Sequence, residues 1–213
     1  TEGLTDLRTM TIPLNRVQAL EVIQPIWWRP LGWWRVRVNV AGVGSSGSGD
    51  GEGERETTLL PVGTLDDALR VLTLLAPRVP ASQWNDAVLG ERPQRGWQTS
   101  SARAKLFDPL SWRRNGWSDT DGAVLLRSGR LTRRAIAVPH ARIQSLTLQQ
   151  GWLQASRRVA TLHVIPAPGP ISPVIDHLDT EAAHDAFDRL NERARDARRG
   201  AGPIDPPLAP DPA

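Results

Sequence analysis

The feature that most constrains this chain is a segment that occurs twice. Residues 12–24 read IPLNRVQALEVIQ, and residues 138–150 read VPHARIQSLTLQQ. The offset is constant, because 139 − 13 = 126 and 150 − 24 = 126, and the register continues without a gap to Val38 and Val164. An internal repeat of this kind indicates two copies of one unit of ordinary domain size. We call these copies the first and second modules.

The repeat divides the 213 residues into four parts. Residues 1–76 form the first module, and residues 107–199 form the second. Residues 77–106 lie between them and are predicted to be a linker, because their first part contains three prolines and two glycines. Residues 200–213 form a Pro/Ala-rich tail. Residues 42–53, GVGSSGSGDGEG, have no counterpart in the second module and predict a mobile loop.

Most of each module has the alternation of apolar and polar residues that is typical of β-strands. Residues 35–40 read RVRVNV, with three valines on one face, and residues 161–164 are their repeat partner. In the second module, residues 123–138 predict a hairpin that turns at Ser128 and Gly129. These patterns predict a sheet with one polar face.

Each module ends in a predicted helix. In the first, Thr64 and Asp67 have the spacing of a capping box, and an apolar stripe follows until Pro77. In the second, the helix begins at Asp179 or Thr180 and carries arginines near its end. The prediction is a mainly β fold with α-helices: two tandem, partly open β-barrels or sandwiches, each closed by a C-terminal helix.

The repeat also exposes a missing strand. The second module has a predicted strand at residues 117–127, before Gly129, whereas the first module begins at the equivalent position, Gly3. We therefore expect the first module to lack its N-terminal strand in this chain, or to be completed by another segment. An unpaired sheet edge can recruit a further strand, and homo-oligomerisation through this edge is one functional hypothesis.

Composition limits the chemistry of the chain. There are no cysteines, which excludes disulfides, thiol nucleophiles and cysteine metal sites. Residues 103–158 carry 11 basic and 3 acidic side chains, so their net charge is 11 − 3 = +8. Such a region is either a solvated arginine-rich face or a surface for an anionic partner.

Longer segments of both copies resemble a known family. They include FDPLSWRRNGW and LLRSGRLTRRAIAVPHARIQSLTLQQGWLQ in the second module and RTMTIPLNRVQALEVIQPIWWRPLGWWRVRV in the first. They resemble the bacterial pleckstrin-homology-like domains that occur in tandem in YdbS/YdbT-like membrane proteins. The resemblance implies a partly open barrel with a C-terminal helix. It also implies a location at the cytoplasmic face of the bacterial membrane, beside membrane helices of a parent protein, and no established catalytic activity.

Tryptophans are the first candidate binding residues, since four of nine lie in residues 27–34. Tryptophan beside arginine suits a membrane interface or a binding hot spot. The repeat aligns Trp27, Trp33 and Trp34 with apolar residues, which favours an inward orientation for these three. Trp28 aligns with Gln154 and is therefore the predicted exposed residue, together with its neighbour Arg29.

Arginine pairs form the second candidate surface. These are predicted to lie in loops or at strand edges of the second module: Arg113, Arg114, Arg133, Arg134, Arg157 and Arg158. Adjacent strand residues point to opposite faces, so each pair offers about one cation to a shared surface. At roughly 1 kcal/mol for each cation near an anionic leaflet, such a site gives weak, salt-sensitive binding.

Polar residues that recur in both copies favour an architectural role over a ligand site. The two matched sets are Pro13, Arg16 and Gln18 in the first module and Pro139, Arg142 and Gln144 in the second. Strand-end hydrogen bonding is the role that we expect of them.

Catalytic and cofactor signatures are absent from the sequence. No phosphate-binding loop or nucleophile elbow occurs, and the histidines neither recur nor have a metal-ligand spacing, so no metal and no cofactor are predicted. Nucleic acid is a poor candidate partner, because the chain has no tyrosine and only two phenylalanines, the residues that most often stack on bases from a strand.

The favoured function is a non-catalytic, membrane-proximal binding or scaffolding module. Its partners would be a membrane surface, the parent protein's own membrane helices or another protein. Homo-oligomerisation is the alternative, and an enzyme of unknown type is the remote one.

Overall fold

A computed structural model describes residues 16–40, 58–92, 94–167 and 169–200. The first module contains strands β1 (Val17–Gln24), β2 (Trp34–Val40) and β3 (Thr58–Gly63), followed by helix α1 (Leu65–Leu75). A 3-10 turn at Ile26–Trp28 separates β1 from β2. Helix α1 begins as the sequence predicts: the Asp67 amide donates to Thr64 Oγ1 at 3.3 Å, and the Thr64 amide donates to Asp67 Oδ2 at 3.0 Å.

The remaining elements belong to the intermodule segment and the second module. Helix α2 (Ala81–Leu89), strand β4 (Gln98–Thr99) and a 3-10 turn (Ala102–Leu106) come first. Strands β5 (Gly116–Asp119), β6 (Ala123–Ser128), β7 (Arg133–Pro139) and β8 (Ser145–Gln149) follow, with a 3-10 turn (His140–Arg142) before β8. Helix α3 (Trp152–Ser156), strands β9 (Val159–Ile165) and β10 (Val174–Asp179), and helix α4 (Thr180–Gly200) complete the module.

Both modules contribute to one antiparallel sheet of seven strands. Its order is β3-β2-β1-β7-β6-β5-β4, and a second sheet has the order β10-β9-β8. Strand β1 of the first module pairs with β7 of the second, so that Leu20 lies opposite Ala137 and Glu21 opposite Ile136. The predicted mainly β fold with C-terminal helices is confirmed, although the sheets are open and not closed barrels. The expectation that the first module lacks its N-terminal strand concerns residues before 16, which lie outside the described residues, and it stays a prediction.

The shared sheet has a hydrophobic core on each face. In β7, Ala135 and Ala137 face the first core, while Ile136 and Val138 face the second, as the alternation of strand side chains requires. Helices α1 and α2 cover the first core, and β8, β9, β10 and α4 cover the second. The shared sheet therefore separates the two cores.

The predicted linker is an integral part of this fold. Within residues 77–106, helix α2 buries Trp84, Ala87 and Val88 in the first core, and β4 pairs with β5. Two buried arginines hold the C-terminal end of α2. Arg114 donates to the carbonyls of Gly90 and Val88 (3.0 Å to the latter), and Arg127 donates to the Asp86 carbonyl at 3.0 Å. Cations are favourable at this end of a helix because its free carbonyls carry partial negative charge.

An ion cluster crosses the contact between the modules. The Glu21 carboxylate, only 2% exposed, forms ion pairs with Arg134, whose Nε lies 2.9 Å from Oε1, and with Arg37, whose Nη1 lies 3.8 Å from Oε2. Burial raises the pKa of Glu21, and the two arginines oppose that effect. Nearby, the Asn39 side chain bonds both main-chain groups of Ile171, each at 3.1 Å. The contact is thus polar as well as apolar.

Some predicted features lie outside the described residues, namely the 42–53 loop, the tail beyond Gly200 and the N-terminal segment with Pro13. Across the ranges that are described, no helix is both long enough and apolar enough to cross a membrane.

Candidate binding surface

The turn after β1 presents tryptophans to solvent. Trp27 is 71% exposed and Trp33 41%, so the expectation that both face inward is wrong, while Trp34 is buried as expected. Trp28 is only half-buried: its ring packs edge-on against Trp33 at 6.2 Å, and Arg35 lies 5.1 Å from its centroid. Trp27, not Trp28, is therefore the most exposed ring of the turn.

Hydrogen bonds join this turn to two loops of the second module. Arg29 donates to the carbonyls of Arg130 and Leu131, the latter at 3.2 Å, in the hairpin between β6 and β7. The Arg130 amide in turn donates to Ser111 Oγ at 3.1 Å. Residues 26–33, 108–113 and 128–133 thus form one continuous surface, which we call the joint end.

The joint end is rich in exposed apolar side chains. Besides Trp27 and Trp33, it carries Leu31, Leu110 and Leu131, each more than half exposed. Single exposed apolar residues are ordinary on a protein surface, but a group of them marks a candidate interaction site. Arg113 and Arg130 are also exposed there and have no ion-pair partner within the described ranges.

A second exposed apolar tip occurs at the equivalent position of the second module. Trp152 is 84% exposed and Leu153 40%, both at the start of α3. Their repeat partners are Ile26 and Trp27, since 152 − 126 = 26 and 153 − 126 = 27, and these are exposed as well. The same surface position is therefore apolar in both copies. Arg157 and Arg158, predicted as a basic pair, follow this tip and are exposed.

Comparison with known proteins assigns the chain to a family. The family model described as bacterial PH domain matches residues 1–79 and 101–194, one range for each module. The chain belongs to the bacterial PH domain family. Neither the search of curated proteins nor the search of solved structures found a match. PH-like domains are in general binding modules and not enzymes, and membership of this family is what points to a binding function for this tandem PH protein.

The other arginines predicted for the surface of these PH modules have structural partners. Arg114 is 3% exposed and bonds carbonyls at the end of α2, so a surface role for it is wrong. Burial, more than its charged neighbours, lowers the pKa of Arg114 to about 10. Arg133 pairs with Glu91 and Arg134 with Glu21, while Arg29 is half-buried against the hairpin carbonyls. Of the predicted arginines, Arg113, Arg157 and Arg158 are exposed without an ion-pair partner in the described part of the chain.

A hollow in the second PH module has mixed charge. It measures about 770 Å3 and lies between α3 and the start of α4, beside Arg103 and Arg158. Arg103 already bonds Asp179 at 2.8 Å, and Glu181 and Asp185 also line the hollow. These carboxylates would repel a phosphate group, so the hollow is a poor headgroup site. In the described residues, no group of three or more His, Cys, Asp or Glu side chains could hold a metal ion.

The recurrent polar residues have local partners. The Gln18 side chain donates to the Arg16 carbonyl at 3.3 Å, and the main-chain N–H of Gln144 donates to the Ile165 carbonyl at 2.8 Å. Gln24 and Gln150 also recur at the repeat offset, and their side chains match more closely. Gln24 Nε2 donates to the Trp33 carbonyl at 3.3 Å, and Gln150 Nε2 donates to the Val159 carbonyl at 2.9 Å, nine residues later in both cases. The recurrence of this glutamine therefore has a structural cause, because it closes the apolar turn in each module.

Proposed function

We propose that this tandem PH protein is a non-catalytic module that binds an anionic membrane surface through the joint end, at the cytoplasmic face of the bacterial membrane. The observation that carries the proposal is the exposure of Trp27, Leu31 and Leu131 beside Arg113 and Arg130. An indole ring with a neighbouring cation suits the boundary between headgroups and acyl chains, where its apolar body and polar N–H both find partners.

The apolar side chains supply the stronger part of the interaction. Burial of only about 60 Å2 of indole surface contributes roughly 1.5 kcal/mol, which corresponds to about tenfold in partition. Because Trp27 is 71% exposed, most of its ring is available to a second surface without any change in the fold. The hydrogen bonds from Arg29 to the hairpin hold the turn and Leu131 together, which favours a common docking surface.

The cations supply selectivity for anionic lipid. A basic side chain near an anionic leaflet contributes about 1 kcal/mol, so Arg113 and Arg130 together give a weak, salt-sensitive attraction. The second tip, with Trp152 followed by Arg157 and Arg158, offers the same chemistry at the repeat-related position. Two weak tips on one chain bind a surface more tightly than either alone, because the second contact forms within an already bound molecule.

Vesicle flotation tests the proposal. The purified chain is mixed with vesicles of phosphatidylcholine alone or with added phosphatidylserine, at low and at physiological salt. We expect flotation with the anionic vesicles only, weakened by salt. Trp27→Ala should reduce the bound fraction about tenfold at limiting lipid, and the double variant with Trp152→Ala should reduce it further.

Leu74→Ala is the matched control, because Leu74 in α1 is also 71% exposed but lies outside the joint end. It should bind as the wild type does. Arg113→Gln should lose about fivefold in affinity for anionic vesicles, whereas Arg70→Gln on α1 should lose much less. Equal flotation of all these chains, or no flotation in any condition, would contradict a membrane-binding joint end and favour a protein partner.

A further inference from the structure

A 3-10 turn in the segment between the modules exposes apolar and basic side chains together. This turn, Ala102–Leu106, buries Ala104 completely, whereas Leu106 is 60% exposed and Arg103 and Lys105 are exposed as well. In a 3-10 helix, side chains three residues apart lie above one another, so Arg103 and Leu106 share one face of the turn. We call it the intermodule turn.

On one side, the intermodule turn contacts helix α3, which begins with the second apolar tip, Trp152 and Leu153. Phe107, directly after the turn, stacks on the ring of His177 with 4.9 Å between the centroids. Nδ1 of His177 lies 3.3 Å from Nε2 of Gln154 in α3. Two consecutive contacts therefore connect the turn to the helix that presents the second tip.

On the other side, the same segment continues into the joint end. The Asp108 carboxylate accepts hydrogen bonds from the Ser111 amide at 3.0 Å and from Nδ2 of Asn115 at 2.8 Å. Oδ1 of Asn115 in turn accepts from the amide of Gly129, in the hairpin between β6 and β7, at 3.0 Å. Residues 102–113 are therefore held beside α3 at one end and belong to the joint end at the other.

The basic stretch of the sequence, residues 103–158, exposes its cations along this path. Six of its seven exposed basic side chains lie in the intermodule turn, in the joint end or directly after α3: Arg103, Lys105, Arg113, Arg130, Arg157 and Arg158. The seventh, Arg134, pairs with the buried Glu21. The net charge of +8 that the sequence gives this stretch is therefore exposed between the joint end and the second tip.

We propose that the intermodule turn is a third membrane contact, which joins the joint end and the second tip into one docking face for an anionic bilayer. The inference rests on the proposed function and adds to it a contact site and an orientation. Both modules dock on the same membrane, and Leu106 enters it together with Trp27 and Trp152. Lys105 contributes a further cation beside the anionic headgroups.

The arrangement of the apolar side chains favours a bilayer over a protein as the partner. A protein interface is built around a contiguous buried core, whereas the docking face offers separate apolar contacts at Trp27, Leu106 and Trp152. A fluid bilayer accommodates separate contacts, and binding to its interface grows with the apolar area buried and with the attraction of cations to anionic lipid. Because contacts within the fold hold the turn to both neighbours, its insertion needs no rearrangement of the chain.

Acidic side chains mark one border of the docking face. The hollow beside α3 is lined by Arg103 and, on the α4 side, by Glu181 and Asp185. An anionic leaflet repels these carboxylates, and Arg103 is paired there with Asp179. We therefore expect α4 to lie on the side of the second module that faces away from the membrane.

Fluorescent labels at single cysteines test the docking face, since the chain has no native cysteine. A polarity-sensitive fluorophore is attached to Leu106→Cys and to Leu153→Cys. Ile165→Cys is the matched control in the second module, because Ile165 is 41% exposed, compared with 40% for Leu153, but lies at the far end of β9. With phosphatidylserine-containing vesicles, we expect a blue shift of the emission and quenching by a lipid-borne quencher at Leu106 and Leu153. Neither is expected at Ile165 or at Leu74→Cys in α1.

The outcomes separate this inference from the proposed function. A label at Leu106 that stays in water, while labels at Trp27→Cys and Leu153→Cys enter the bilayer, would overturn the docking face and leave membrane binding intact. A label at Leu106 that responds no more than the Ile165 control would overturn it as well. Absence of any flotation of the unlabelled chain would overturn both proposals.

Vesicle affinity and vesicle clustering give independent readouts. Leu106→Ala and Lys105→Gln should each lower the bound fraction about fivefold at limiting lipid, whereas Leu74→Ala should leave it unchanged. A chain whose three contacts lie on one side occupies a single vesicle, so light scattering should show no clustering of vesicles. Clustering that is abolished by either Trp27→Ala or Trp152→Ala would place the two tips on different sides of the molecule and overturn the proposal.

Discussion

Adjacent arginines at the start of the second module have different roles. Arg113 is exposed and stacks on Trp112 with 5.1 Å between its guanidinium carbon and the ring centroid. Arg114 is buried and donates to three carbonyls at the end of α2, from Ala87, Val88 and Gly90. Both residues are arginines, so only their tertiary environments make one a surface cation and the other a buried one.

Arg114→Met is therefore expected to destabilise the protein far more than Arg113→Met. Hydrogen bonds to a charged donor contribute about 1.5–3 kcal/mol, and the carbonyls left behind would be buried without a partner. We expect a loss of about 3 kcal/mol in the free energy of unfolding for Arg114→Met and less than about 0.5 kcal/mol for Arg113→Met. Urea denaturation followed by circular dichroism measures both. Equal stability of the two variants would show that α2 does not depend on Arg114.

His140 connects the stability of the second module to pH. Its Nε2 lies 2.9 Å from Asp119 Oδ1, and Arg193 Nε lies 3.4 Å from Asp119 Oδ2. Burial lowers the pKa of His140 below 6.5; Asp119 opposes the shift and Arg193 adds to it. When the folded pKa is lower than the unfolded one, the unfolded state binds more protons between the two values. The stability that depends on neutral His140 is therefore fully present above pH 6.5, and it is lost as the pH falls through the pKa of His140 in the folded protein.

The variant His140→Gln should remove this part of the pH dependence. We expect the stability difference between wild type and variant, measured by urea denaturation, to shrink as the pH falls below 6.5. The buried carboxyls of Glu21 and Asp176 have raised pKa values and act with the opposite sign. They are common to both chains, so the difference isolates His140. A constant difference across this range would contradict the assignment.

At the level of elements, local sequence patterns predicted the regular parts of the fold. The alternating valines of β2, the hairpin of β6 and β7 around Gly129 with its positive φ of 71°, and the capping box of α1 all occur as expected. Helix α2 was missed because prolines and glycines dominate its surroundings. The available signal was the i, i+3, i+4 spacing of Trp84, Ala87 and Val88, directly after Pro80.

The candidate site was predicted less well than the fold. Alignment of Trp27 with the apolar Leu153 suggested that both are buried, yet both are exposed. A repeated apolar residue shows that both modules have the same environment at that position, and it does not show whether that environment is a core or a surface. The pairing of β1 with β7 could not be predicted either, because two strands that are distant in the sequence leave no periodic pattern that identifies them as partners. The opposite charges of Glu21 and Arg134 are consistent with this strand pairing but do not by themselves predict it.

At the level of the whole molecule, the two modules share one sheet and should unfold as one unit. Strands β1 and β7 pair over five residues, and the Glu21 cluster and Asn39 add polar contacts across the same boundary. Each core uses side chains from the shared strands, such as Ala137 for the first and Ile136 for the second. Loss of either module would therefore expose apolar surface of the other.

Amide hydrogen exchange tests this coupling. In the wild type, we expect the slowest amides of β2 in the first module and of β9 in the second to exchange with the same free energy and the same urea dependence, since both report global unfolding. Glu21→Ala should lower both values equally, by about 1 kcal/mol, because it removes the ion pair with Arg134, which is 45% exposed and therefore partly screened by solvent. Leu74→Ala on the exposed face of α1 should change neither. A loss confined to β2 would instead mean that the first module opens independently, with β7 and the second core remaining intact.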